Sequence, residues 1–142
     1  MESSTDMTKI QHEIISDFML FDDWMEKYEY IIDLGKDLPL INEKYKTDEY
    51  IIEGCQSKVW LHAALINGKM DYSADSDAII TKGIIGLLIR VMNHQPPEVI
   101  ASSDLFFISE IGLQEHLSPT RSNGLVGMVK KMKIEAIKSL NQ

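Results

Sequence analysis

Residues 78–92 constrain the fold more than any other stretch. They read Ala-Ile-Ile-Thr-Lys-Gly-Ile-Ile-Gly-Leu-Leu-Ile-Arg-Val-Met. At helical spacing the apolar side chains fall on every side, so a helix here has no wet face and must be wrapped by other elements. It is too short to span a bilayer and carries Lys82 and Arg90. Gly83 and Gly86 are poor helix formers, and their presence predicts close packing, expected here against a sheet. The chain of 142 residues is one domain's worth of material to build the wrapping.

Helical periodicity supplies the first layer. Thr8-x-x-Gln11 reads as a capping box, with Ile10, Ile14, Ile15 and Phe18 on one face behind it. Asp23-x-x-Glu26 is a second box. Trp24, Tyr28, Ile31 and Ile32 follow as core positions, and Gly35 is placed to end the helix before Leu38-Pro39. A β region comes next. Tyr50-Ile51-Ile52 is a short β-prone run, residues 59–66 form a second, and residues 69–74 alternate as a third. Asn67-Gly68 between the last two is a hairpin signal. Asp75-Ser76-Asp77 offers caps for the central helix. Pro97 suits the first turn of a short helix, and residues 105–111 form another apolar run stopped by Gly112. Ser118-Pro119 reads as N-cap and first position of a last helix that turns Leu125, Met128, Val129, Met132 and Ala136 inward. The expectation is an α+β single domain over residues 1–142, with a three-stranded antiparallel sheet packed against helices and residues 1–7 as a loose N-terminus.

Charge narrows the partners. Fourteen basic against twenty-two acidic residues give a net charge of −8, which disfavours nucleic acid and anionic membrane surfaces. The lysines at 130, 131, 133 and 138 read as the solvated face of the last helix. The N-terminal residues lack the pattern of a secretory signal, so the expected address is the cytoplasm.

Chemistry concentrates on the single cysteine, Cys55. One thiol excludes an internal disulfide and a cysteine-only metal site. Cys55 lies between Gly54 and Gln56, with Ser57 and Lys58 following, in a loop between two expected strands. A glycine beside it leaves the thiol open to a partner, whereas a buried structural thiol is the plain alternative. His12, His62, His94 and His116 are scattered without ligand spacing, so no metal is expected. His116 precedes the last helix. Arg121 sits in its first turn, where the helix dipole favours anions, so it could serve an anion or thiolate or simply face solvent.

Four ordered blocks carry a resemblance. They are Trp24-x-Glu26-Lys27-Tyr28 continuing through Ile31-Ile32-x-Leu34-Gly35-x-x-Leu38-Pro39; Gly54-Cys55-Gln56-Ser57-x-Val59-Trp60; Asp75-Ser76-Asp77-Ala78 with Lys82-Gly83; and His116-Leu117-x-Pro119-x-Arg121-Ser122-x-Gly124-Leu125. Together they resemble the SufE family of sulfur acceptors, including the CsdE type, from about Phe18 onward. The resemblance implies an α+β fold shared with iron–sulfur scaffold proteins. It implies that Cys55 accepts persulfide sulfur from a pyridoxal-phosphate-dependent cysteine desulfurase of the SufS or CsdA type, stimulates that enzyme, and delivers sulfur to an iron–sulfur cluster assembly scaffold. Gln56, Ser57, Asp75, His116 and Arg121 match positions near the cysteine loop and are assigned supporting roles. No cofactor is implied in this chain; pyridoxal phosphate (PLP) belongs to the partner. Two other readings stay open: an allosteric activator of the desulfurase that needs no thiol, and a cysteine hydrolase pairing Cys55 with His116.

Overall fold

The computed structural model describes residues 2–141. Its centre is the apolar helix α3 (Ile79–Met92). Ile84, Ile85, Leu87, Leu88, Ile89, Val91 and Met92 are all buried, as an all-round apolar helix requires. Around it lie α1 (Glu2–Phe18), α2 (Trp24–Lys36), the hairpin β1 (Val59–Ile66) and β2 (Lys69–Ser76), the short helices α4 (Pro97–Ser102) and α5 (Phe107–Glu110), and the long α6 (Pro119–Ser139). Among the described residues, no helix is long and apolar enough to cross a membrane.

The sheet has two strands, not the expected three. β1 and β2 pair antiparallel, with Val59 opposite Ser76 and Ile66 opposite Lys69. The two-residue turn between them has Asn67 at φ 54° and Gly68 at φ 80°, the left-handed geometry that an Asn-Gly hairpin needs. The third strand was expected at Tyr50-Ile51-Ile52. There the chain coils first, as a 3₁₀ turn over Asp48–Tyr50. Of the β-prone run only Ile51 and Ile52 remain extended before the chain turns away through Glu53 and Gly54, the glycine at φ 91°. They reach β1 through one bridge, Ile51 with Trp60, and one bond from the Ile52 N–H to the Val59 carbonyl. The outer edge of β2 is closed by irregular backbone. Met70 N–H donates to Gln95 O, His94 N–H to Met70 O, and Ala74 N–H to Pro39 O. Tyr72 N–H donates to the Asn93 side chain.

Several local expectations also change. Helix α1 begins at Glu2, so Thr8 and Gln11 lie inside it and do not cap it; residues 2–7 of the segment expected to be loose form its opening turns, and the first residue lies outside the described ones. Gln11 is buried and instead ties α1 to the α4–α5 connection, its amide donating to Asp104 O and accepting from Phe107 N–H. Asp23 does cap α2, accepting from Glu26 N–H, and Glu26 accepts in turn from Asp22 N–H. Gly35 does not stop α2, which continues to Lys36. Asp75 and Ser76 belong to β2, and α3 starts after Ala78 without an Asp cap.

The glycines explain themselves through packing. Gly83 meets α2, not the sheet. A Cβ at Gly83 would overlap the Ile31 carbonyl, and a Cβ at Gly35 would lie 3.0 Å from the Gly83 amide nitrogen. The two helices therefore touch backbone to backbone. On the other side of the core, Tyr72 on β2 is fully buried and donates to the Met132 carbonyl of α6. In an open helix interior, glycine to alanine would stabilise by about 0.5–1 kcal/mol. Here Gly83→Ala is expected to destabilise by about 3 kcal/mol or more, because α2 must move. The denaturant midpoint reports the sign, and a stabilised variant would contradict the close approach.

Candidate functional site

Cys55 sits in the loop between Ile52 and β1. The loop is pinned at both ends. Ile52 N–H donates to Val59 O at 2.8 Å. Lys58 N–H donates to the Asp77 carboxylate, while Ser76 Oγ and Asp77 N–H donate to Lys58 O. Ser76 and Asp77 thus anchor the end of the cysteine loop rather than capping α3.

Between the pins the loop lies on α6, over two glycines one helical turn apart. A Cβ at Gly124 would be 3.3 Å from Cys55 Sγ, and a Cβ at Gly127 would be 2.8 Å from Glu53 O. Small residues at i and i+3 leave a trough on the helix into which the loop settles. The Cys55 thiol donates to Gly124 O at 3.7 Å, a weak bond. This trough is a feature that the sequence reading passed over. Its signal was present in Gly124-x-x-Gly127, two poor helix formers on one helix face.

Cys55 opens into a cavity of about 310 Å³ lined by Gln56, Ser57, Thr81, Ile84, Ser118, Thr120, Arg121, Gly124 and Met128. Ile84 and Met128 give it an apolar floor. Ser118 caps α6, its Oγ accepting from Arg121 N–H. A larger depression of about 830 Å³ lies by the other half of α3, around Gly86, Arg90 and Asn93. It contains no cysteine, and the chemistry stays with Cys55.

The structure brings Cys55, Gln56, Ser57 and Arg121 to one cavity. It does not bring Asp75 or His116 there. Asp75 lies on β2 opposite Trp60 and receives Lys46 at 2.7 Å and Lys82 at 3.3 Å. Burial pushes its carboxyl up, but hydrogen bonds from Lys46, the Ser76 amide and Lys82 together hold it below the usual carboxylate range. His116 has its ring stacked on Trp24 at 4.0 Å, its Nδ1 against Gly112 O, and its carbonyl accepting from the Tyr28 hydroxyl. These contacts join the start of α2 to the approach to α6, and they engage the ring elsewhere than beside Cys55. Among the described residues, no group of three or more His, Cys, Asp or Glu side chains is placed to share a metal ion.

Burial pushes the Cys55 thiol up, and no cation among the described residues offsets it. A thiolate is the nucleophilic form. Alkylation of the folded chain by iodoacetamide is therefore expected to reach half its limiting rate above the ordinary thiol value of about 8.5. At pH 7 it should be slower than alkylation of a peptide containing Glu53 to Lys58. A midpoint below that of the peptide would contradict the shielding.

Comparison with known proteins gives the chain a family. Residues 12–136 match the family described as SufE, Fe–S metabolism associated domain. An uncharacterised SufE-like protein of Rhizobium etli is 43% identical over 129 residues, covering 87% of each chain. SufE-like protein 1, chloroplastic/mitochondrial, of Arabidopsis thaliana is 37% identical over 127 residues, covering 88% of this chain and 34% of that one. Among solved structures, the solution structure of a hypothetical protein from Thermus thermophilus superposes with a TM-score of 0.78. The match covers 94% of this chain and 97% of that one, at 18% identity, and so speaks for the fold alone. On the extent of these matches, the chain belongs to the SufE family, whose domain is associated with iron–sulfur metabolism.

Proposed function

We propose that the protein is a sulfur carrier. In this reading Cys55 takes the terminal sulfur of a persulfide held by a PLP-dependent cysteine desulfurase, stimulates that enzyme by clearing its product, and passes the sulfur to an iron–sulfur cluster assembly scaffold. The observation that carries the reading is the placement of the only cysteine. It stands in a glycine-led loop, held at both ends but only weakly between them, over a small cavity with an apolar floor.

The transfer balances without an outside oxidant. The Cys55 thiolate attacks the outer sulfur of the donor persulfide, forming a new S–S bond while the donor's S–S bond breaks. The donor cysteine leaves as thiolate and takes up the proton that Cys55 released. The sulfane sulfur changes partners and no net electrons move. With no second thiol in the chain, the loaded Cys55 cannot collapse to an internal disulfide and lose its sulfur as sulfide.

Burial makes the resting thiol a poor nucleophile, so activation requires the loop to leave its trough. Two weak holds favour that step: the long S–H contact to Gly124 O and the packing over glycines. Arg121, exposed at the start of α6 and lining the same cavity, is positioned for a thiolate that emerges. We assign Gln56 and Ser57 to the loop's own conformation. Asp75 anchors the neighbouring strand, and His116 braces the α2–α6 junction.

The experiment that separates a carrier from a thiol-independent activator is desulfurase turnover under reductant with wild-type chain and with Cys55→Ser. Exchanging sulfur for oxygen at a half-buried site changes stability by no more than about 1 kcal/mol, so the variant is expected to fold. The carrier reading predicts stimulation by the wild type and turnover at the enzyme-alone level with Cys55→Ser. Retained stimulation by the variant would establish the activator reading instead.

A further inference from the structure

The cavity beside Cys55 holds a polar group that the resting protein leaves unused. Thr81, in the first turn of α3, is 6% exposed. It lines the cavity together with Cys55. Its hydroxyl has no hydrogen-bond partner among the described residues. It is not a sealed, unpaired core atom as Gln95 Oε1 is, and the accessible space that Thr81 borders is this cavity. Polar atoms of side chains this deeply buried nearly always have a partner, either in the protein or in ordered water. Two residues on, Gly83 is locked against Ile31, which fixes the position of Thr81 with little freedom to seek a partner elsewhere.

The other polar groups of the cavity do not share this state. Ser118 Oγ is engaged as the cap of α6. Ser57 travels with the cysteine loop. Thr120 and Arg121 are exposed and have water as a partner. Among the lining residues, Thr81 combines burial, a rigid mount and a donor with no protein partner among the described residues. A hydroxyl rotates freely about its C–O bond and can donate to any acceptor that enters. Ile84 and Met128 keep the surroundings apolar, where such a bond is stronger than in water.

We propose that this cavity is a subsite for the terminal sulfur of a Cys55 persulfide, and that the Thr81 hydroxyl is the donor that holds that sulfur. The inference rests on the carrier reading for its ligand. A persulfide extends Cys55 by one sulfur atom that carries negative charge when deprotonated, and it accepts the hydrogen bond that no described residue accepts at rest. Held this way, the sulfur stays in the cavity during transit, and the loop is steadied by its cargo as well as by Gly124.

The test avoids any desulfurase, so that its outcome is independent of the carrier reading. Cys55 is loaded with inorganic polysulfide. Its thiolate attacks a sulfane sulfur, an S–S bond of the reagent breaks, and a shorter polysulfide leaves. After desalting, the gain of one sulfur is verified by mass, and the rate of persulfide trapping by iodoacetamide is followed against pH. Thr81→Val keeps the shape and removes the donor; Thr81→Ser keeps the donor. In Thr81→Val the trapping midpoint is expected to rise by about one pH unit, because the anion loses its hydrogen bond. In Thr81→Ser it should match the wild type. The midpoint of the unloaded thiol, which faces Gly124, should be unchanged in both. The proposal is overturned if Thr81→Val titrates like the wild type, if Thr81→Ser does not restore the midpoint, if loaded and unloaded forms shift equally, or if wild-type Cys55 takes no sulfur from polysulfide. A chain that passes this test but receives nothing from a desulfurase keeps the subsite and loses the carrier role.

Discussion

The backbone contact between α2 and α3 sets the geometry of everything else. Gly35 and Gly83 let the two helices approach until only main-chain atoms separate them. Helices separated by ordinary side chains sit about 8–10 Å apart, and these two must lie nearer the low end or below it. That approach fixes the start of α3, and Thr81 and Ile84 flank Gly83 on either side. Since both line the cavity beside Cys55, the position of its wall follows from a contact on another side of the same helix. Tyr72, bonded to Met132 from the sheet side, sets α6 against the same core. The trough that receives the cysteine loop is thereby held at a defined distance from the Thr81 wall.

The site balances protection against reactivity. Burial raises the thiol, and each pH unit of that rise is worth about 1.4 kcal/mol against forming the thiolate. A freely exposed thiol would react faster but would surrender sulfur to any soluble thiol. The structure places the compromise in the loop. Its two ends are fixed by backbone bonds at Ile52 and Lys58, while its centre is held by a weak S–H contact and by packing on glycines. In the proposed role, a partner that offered better contacts to the centre would extract the thiol without disturbing the strands.

The sequence was most readable where a local rule acts alone. Asn67-Gly68 demands its hairpin, Ser118-Pro119 starts α6, and the all-round apolar pattern of 78–92 forces burial of α3. It was least readable where one residue type serves two ends. Gly35 looked like a helix stop but is a packing contact. Asp75 and Asp77 looked like helix caps but are a strand ion pair and a loop anchor. Tyr50-Ile51-Ile52 has β-prone side chains, yet strand formation depends on the path set by neighbouring turns, which propensity does not encode. At the site, Cys55, Gln56, Ser57 and Arg121 were singled out from the sequence and share the cavity. Thr81 was not, because a threonine in an apolar helix gives no sign of whether its hydroxyl is paired until the fold surrounds it.

The central claim is that Cys55 accepts and keeps a sulfur atom delivered by an enzyme. The most direct measurement is intact mass, with peptide mapping, after incubation with an active cysteine desulfurase and free cysteine. The account predicts a reductant-sensitive gain of one sulfur, located on the peptide that carries Cys55. A desulfurase that binds the chain and turns over cysteine while leaving Cys55 unmodified would contradict it.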